Sequence, residues 1–379
     1  MSKLVSAVMH KVIEKTTTIR KESIDLPTAM HLNLRVDPTQ YIPQIRNVPG
    51  YDYIHVVRQP KYMVDLSLLN EKVHYLNEIN SPKKFSKKQK LDLIHAHHGQ
   101  LGILLLPFKE QSGLPMVTSI RGRDGTFADQ HFTYLDNMRM LFDRTELIFP
   151  VCNFLAERMM EWGCPSEKIR VLYGGVDTNQ FQYRSPEITG TQNILSIGRL
   201  VEKKGHHVLM EAFAKIRTKF PHATLTIIGR GPMEDSLKSL ATQLNLGDSF
   251  QLLQHLPKSQ VHEQMKNADL FCAASLTATN GDVEGIPNTV KEAMATGLPV
   301  ISTTHAGIPE LVTHNVDGFL VPENNIDELA LAIEHMLINQ SLWLPFATAA
   351  RERVEQNFEL SAQLQQQARF YDELLGGLK

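Results

Sequence analysis

Cysteine is scarce: the 379-residue sequence holds three, Cys152, Cys164 and Cys272, far apart and with no Cys-x-x-Cys pair. Such spacing argues against a disulfide framework or a zinc ribbon and fits a reducing cytosol. Long apolar runs are missing too. The longest aliphatic stretch, around Leu101 to Leu106, is far too short to span a bilayer. The opening residues, Met1 to Lys15, scatter charges where a signal peptide would need an unbroken apolar core and a small-residue cleavage site. The sequence therefore reads as cytoplasmic. Neither charge dominates. A formal net charge of −2 offers no global field to nucleic acid, so any basic site must be local. No Asp-x-Asp pair occurs, so no carboxylate-held metal is evident.

What is present is ordinary globular material, 42% hydrophobic and 21% charged, in a chain longer than one core usually fills. Two domains are expected. In the second half, β-branched apolar runs at Asn193–Ile197, Ala223–Ile228, Phe250–Leu253, Ala268–Ala273 and Pro299–Ser302 predict buried parallel strands. Amphipathic stretches separate them, as in Gly205–Phe220, where Val208, Leu209, Ala212, Phe213 and Ile216 share a helical face before Pro221. The alternation predicts a doubly wound sheet with ligands at the carboxyl ends of its strands. The first half repeats the pattern less clearly. Strands are predicted at Ile54–Val57, Leu91–Ala96, Met116–Ile120, Leu147–Val151 and Ile169–Tyr173, with helical periodicity across Tyr62–Ile79 and Phe154–Trp162. Gln182–Gln192 is polar, with Ser185-Pro186 and Gly190, and suits a linker.

The most informative segment runs Glu284-Gly-Ile-Pro-Asn-Thr-Val-Lys-Glu292-Ala-Met-Ala-Thr-Gly297-Leu-Pro299. It follows a predicted strand and opens a short helix, with Pro287 in the first turn and Gly297 at the end. The N–H groups of Ile286, Asn288 and Thr289, beside Pro287, would point at the strand ends and suit a phosphate. Glu292 could hold a ribose diol and Glu284 could meet the sugar. Positive charge comes from Ser196-Ile-Gly198-Arg199-Leu-Val-Glu-Lys-Lys204-Gly205, whose Arg199 and Lys204 project from the mouth of the same sheet. Two fixed cations there can stabilise a departing diphosphate without a metal. Alone, each group reads as a solvated surface; together, at strand ends beside glycines, they point to a nucleotide-sugar site.

From about Leu91 onward the chain resembles the retaining GT-B glycosyltransferases of family 4, and its Glu-Gly-Ile-Pro is similar to exopolysaccharide (colanic acid-type) transferases. The resemblance rests on Asp92-Leu-Ile-His-Ala-His97, Lys168-Ile-Arg-Val-Leu-Tyr-Gly-Gly175-Val-Asp177, Ile197-Gly-Arg199-Leu, Lys203-Lys204-Gly205, Ile228-Gly-Arg-Gly-Pro232, the Glu-x7-Glu segment, His305-Ala-Gly-Ile-Pro-Glu310-Leu-Val and Asp317-Gly-Phe-Leu-Val-Pro322 in that order. It implies an α/β fold of two Rossmann-like domains facing a cleft: 1–185 on the acceptor side, 186–355 for the donor, and a tail, 356–379, crossing back to the first. It implies retention of anomeric configuration and neither cofactor nor metal. The donor would be a nucleotide sugar, UDP-hexose foremost, and the acceptor a saccharide or a lipid-linked saccharide. Arg199 and Lys204 would bind the donor diphosphate, Glu292 the ribose and Glu284 the donor sugar. Gly198 and the backbone of Ile286–Thr289 would line the phosphate and sugar pocket. A double displacement would need a carboxylate beneath the anomeric carbon, and no residue presents itself.

Three departures stand out. Many relatives carry His-Gly-x-Asp in the N-terminal domain, where this sequence has Arg121-Gly122-Arg123-Asp124. An arginine cannot do a neutral histidine's work and suits an anionic group of acceptor or donor. The first ~90 residues show no strand followed at once by a glycine-containing acceptor loop. Gly174 stands where asparagine is common. His95, His97 and His98 cluster without a carboxylate or cysteine at ligand spacing, and His97 is expected to face a sugar-binding cleft. Gly229-Arg-Gly231-Pro-Met-Glu234 starts like a dinucleotide fingerprint but lacks the third glycine; Gly231 is expected to line the nucleotide pocket, without NAD. The lysine-rich Ser81–Lys90 reads as a solvated segment, or as one drawn to anionic lipid. Competing readings are a GT-B epimerase, a phosphorylase, for which no pyridoxal lysine is evident, and a non-catalytic sugar-nucleotide-binding protein or partner subunit.

Overall fold

A computed structural model describes residues 26–33, 45–58, 73–126, 132–188, 190–254 and 256–376. Six parallel strands form the first sheet: β1 (Thr28–Asn33), β2 (Asp52–Val57), β3 (Val73–Tyr75), β4 (Leu91–Ala96), β5 (Met116–Ile120) and β6 (Leu147–Pro150). Six more form the second: β7 (Asn193–Ile197), β8 (Thr224–Ile228), β9 (Phe250–Leu253), β10 (Leu270–Ala273), β11 (Val300–Thr303) and β12 (Phe319–Val321). Their orders, β3-β2-β1-β4-β5-β6 and β12-β11-β10-β7-β8-β9, are one doubly wound topology used twice. Each sheet has a switch point, between β1 and β4 or between β7 and β10, where ligands characteristically bind.

The helices of the first half are α1 (Pro82–Gln89), α2 (Gly99–Ser112), α3 (Phe132–Arg144) and α4 (Asn153–Glu161). Those of the second are α5 (His206–Ile216), α6 (Glu234–Gln243), α7 (Lys258–Asn267), α8 (Asn288–Thr296), α9 (Ile308–Leu311) and α10 (Ile326–Ile338), followed by α11 (Trp343–Asn357) and α12 (Leu360–Gly376). On α5, Val208, Leu209, Ala212, Phe213 and Ile216 are all buried against the second sheet, as their spacing predicts. Among the described residues no helix is long and apolar enough to cross a membrane.

The crossing tail is present. α11 packs on the second sheet through Trp343, Phe346, Ala350 and Val354. The chain is then pinned where Val176 N–H donates to Phe358 O (2.8 Å) and Leu360 N–H donates to Val176 O (2.9 Å). From there α12 lays Leu364, Ala368, Tyr371 and Leu374 against Ala29, Leu93, Val117 and Phe149 of the first sheet. Burying large apolar side chains contributes about 1.5–3 kcal/mol each, so this seam ties the halves together firmly.

Three expectations need correction. A central strand, β1, lies within the first ~90 residues, where the sequence offered no convincing start. The periodicity over 62–79 is not one helix: Val73–Tyr75 is a strand, while 62–72 lie outside the described residues. Ile169–Tyr173 is no strand. Arg170 N–H and Leu172 N–H donate to Ile148 O and Pro150 O along β6, but only an isolated bridge at Ile169 results. The chain leaves the sheet there to place Tyr173 and Gly174 at the cleft.

Candidate active site

In the second half the site begins where β7 ends. Gly198 lets the Lys204 stem lie over the backbone, since a Cβ there would sit 3.2 Å from Lys204 Cδ. Gly205, at φ +61°, presses so tightly on the residue after β10 that a Cβ would fall 1.7 Å from Ala274 O. Only glycine tolerates both constraints, and the contact fixes the 202–204 turn at the switch point. The following loop is held by the two lysines of that turn. Lys203, 4% exposed, donates to Asp282 Oδ1 (3.0 Å) and Val283 O (2.8 Å). Lys204 Nζ lies 3.2 Å from Glu284 Oε1, with Lys203 Nζ at 3.8 Å. Burial works against charge on Glu284, but Lys204 and Lys203 outweigh it and hold the carboxyl below the usual carboxylate range.

A second layer orients Glu284. Its N–H donates to His305 Nε2 (3.0 Å), so the other ring nitrogen carries the proton and donates to Glu323 Oε1 (2.8 Å). Glu323 also accepts from Thr277 N–H (2.6 Å). Pro287 caps α8 from outside its first turn, and Gly297, at φ +91°, ends the helix. Glu292 and Asn288 are half-buried one turn apart on α8. Ile286 and Thr289 are likewise half-buried at its start. Arg199 is exposed at the mouth of β7, and Gly231 packs on the Leu200 backbone behind it. Lys204 and Glu284 thus meet directly, whereas Arg199 stands apart at the rim.

The N-terminal domain closes over this loop. At Gly122 a Cβ would come within 2.6 Å of Val283 O, so the Arg121 turn rests on the Glu284 backbone. Asp124 fixes that turn, accepting from Arg121 N–H (3.0 Å) and pairing with His98 Nδ1 (3.1 Å). His98 therefore leaves the expected histidine cluster, and His31 takes its place. His31, His95 and His97, all buried, bring one ring nitrogen each within 4.8 Å of one another, the reach of a single metal ion. Both nitrogens of His95 are engaged, however. Gln367 donates to Tyr371 OH (2.8 Å), Tyr371 donates to His95 Nδ1 (2.5 Å), and His95 Nε2 donates to Ser119 (2.7 Å). A metal would have to break one of those bonds. Burial, then neighbouring histidines and Arg121, push His95 and His97 well below the usual imidazole range, so the rings are neutral. His97 and Arg121 line one cavity beside Tyr173 and α12.

Two cross-domain contacts were not singled out from sequence. Glu310 of α9 reaches the start of α4, accepting from Asn153 N–H (2.9 Å), Phe154 N–H (3.1 Å) and Tyr173 OH (3.0 Å). A carboxylate at a helix N-terminus is favourably placed. Lys291, 1% exposed, crosses from α8 to donate to Gly174 O. Both lie inside quoted motifs, so the motif order was the available signal.

Comparison with known proteins fits this geometry. Residues 178–357 match the family described as Glycosyl transferases group 1, and 35–180 that described as Glycosyltransferase Family 4. WcaL of Salmonella typhimurium, named for colanic acid biosynthesis, is 37% identical over 275 residues, covering 72% of this chain and 68% of WcaL. The chain belongs to glycosyltransferase family 4. Another relative of this transferase is AmsK of Erwinia amylovora, an amylovoran biosynthesis glycosyltransferase, 34% identical over 286 residues and covering 75% of this chain and 70% of AmsK. In fold the transferase is similar to Anabaena HepE, solved with UDP and glucose, at TM-score 0.77 and 20% identity, covering 92% of this chain and all of that one.

Proposed function

We propose that this glycosyltransferase moves a hexose from a nucleotide sugar, UDP-hexose foremost, to a saccharide or lipid-linked acceptor in exopolysaccharide or glycolipid assembly, with retention and without a metal. The carrying observation is the buried, ionised Glu284 set 3.2 Å from Lys204 at the switch point of the second sheet. In this reading Lys204 and Arg199 take up charge developing on the departing diphosphate, which is what a metal would otherwise do. Glu284 and Asp282 are already engaged by Lys204 and Lys203. Glu284 would turn its remaining oxygen to the donor sugar and Glu292 would hold the ribose. The names of WcaL and AmsK and the UDP and glucose in HepE support the assignment.

Thermal shifts in EDTA with UDP, GDP, ADP and NAD test it. A ligand confined to the folded state adds about 2.7 kcal/mol at 100 times its dissociation constant. UDP alone is expected to shift the midpoint; a shift with GDP alone moves the donor class, and silence from all nucleoside diphosphates rejects the reading.

Contact with anionic membrane belongs to the same proposal. Ser81 caps α1, Phe85 turns inward against Phe108 and His74, and Lys83, Lys84, Lys87 and Lys88 are exposed. Each basic group near an anionic surface contributes about 1 kcal/mol. Flotation with anionic liposomes is expected to exceed that with neutral ones at least about tenfold, and to fall when all four lysines become glutamine. Equal recovery on both lipids removes the membrane from the proposal.

A further inference from the structure

The donor chemistry gives no work to the cavity on the N-terminal side of the cleft. It lies beyond the switch point of the first sheet, walled by His95, His97 and Ser119 from the sheet, Arg121 from the turn, and Gln363 and Gln367 from α12. Among the described residues lining it, Arg121 is the charged one, and none is a carboxylate. The imidazoles beside it are neutral, so they neither add to nor offset its charge. Among the described residues, Asp124 is held by the Arg121 N–H and His98, and Glu310 by Asn153, Phe154 and Tyr173. Lys291 braces the cavity from behind through its bond to Gly174, whose residue forms part of the cavity wall. A guanidinium offers a rigid fork matched to a carboxylate or phosphate. The surrounding imidazole, hydroxyl and amide groups can serve neutral sugar hydroxyls.

We propose that this cavity is an oxyanion subsite, in which Arg121 binds the carboxylate of an acidic acceptor sugar or the phosphate of a lipid-linked one. The proposal rests on the transferase reading and adds the acceptor's charge to it. It makes Arg121 a determinant of acceptor choice, where a histidine would leave the subsite neutral.

The test fills the donor site with saturating UDP and measures binding of methyl glucuronide, methyl glucoside and methyl phosphate by saturation-transfer NMR. The full chain is compared with Arg121→Gln and Arg121→Lys. Either the glucuronide or the phosphate is expected to bind at least about tenfold more tightly than the glucoside, the scale of a hydrogen bond to a charged group. That preference disappears in Arg121→Gln and returns in part in Arg121→Lys; which anion is preferred identifies its source. Absent or equal binding of the probes, or an anion preference untouched by Arg121→Gln, overturns the subsite. UDP, GDP and ADP titrated into samples of the same proteins before any UDP or probe is added separate the two readings. Normal UDP binding with no anion preference rejects the subsite alone, whereas failure of the natural chain to bind any of UDP, GDP and ADP rejects the transferase reading.

Discussion

Lys204→Ala is expected to lower turnover at least about 100-fold, the scale for losing one electrostatic contact made to a transition state. The ammonium sits at a switch point, is 16% exposed, and is paired with a carboxylate that is itself held ionised. Charge on a departing diphosphate appears only as the glycosidic bond breaks, so its loss should fall on kcat more than on KM. Folding should largely survive, because Lys203 remains 3.8 Å from Glu284 and keeps the 282–283 loop in place. Glu284→Ala should cost a similar factor for a different reason. It removes the sugar contact and leaves two lysines facing each other without their shared anion. Lys203→Ala supplies the contrast: its amine is buried in loop contacts, so it should lower the melting midpoint as well as the rate. Steady-state kinetics with a thermal midpoint on each variant decides. Near-normal turnover in Lys204→Ala or Glu284→Ala removes the role assigned to that residue.

Five of the second sheet's six strands, all but β12, were legible as short apolar runs separated by helices with one apolar stripe. β1 was not, because Thr-Ala-Met-His-Leu-Asn looks polar, although all six residues are buried. Its polar groups are satisfied by neighbouring strands: His31 stands opposite His55 on β2 and His95 on β4, and Asn33 bonds His55. That compensation is a property of the sheet and leaves no periodic trace in one strand. The same division runs through the site. Lys204 and Glu284 announce themselves through local motifs on one sheet, and the fold brings them together. Lys291 and Glu310 take their meaning from partners in the other domain, over a hundred positions away, and read in sequence as ordinary helix residues. Arg121 was visible as a substitution, but its surroundings required α12 to fold back over β4.

Lys291 carries the second large effect, in the pH dependence of stability. Burial pushes its amine down to about 7, with Arg121 acting in the same direction and Glu292 and the Cys152 thiol opposing. In the unfolded chain a lysine titrates near about 10.4. Below about pH 7 both states are protonated and the folded protein bears the full cost of a buried ammonium. Between the two values the unfolded chain binds more protons, so stability rises with pH, by up to about 1.4 kcal/mol per unit. Lys291→Met removes this titration and also the bond to Gly174 O, whose loss is an offset that does not vary with pH. Denaturant unfolding of both proteins at several points from about pH 6 to about pH 9.5 should show the natural chain gaining steadily on the variant above neutrality. Parallel curves would mean that the amine keeps an ordinary affinity for its proton in the folded state. A neutral amine still has N–H groups to donate to Gly174 O, so the link from α8 to the N-terminal domain persists as the proton leaves. Alkaline conditions should therefore stabilise the fold without loss of that link.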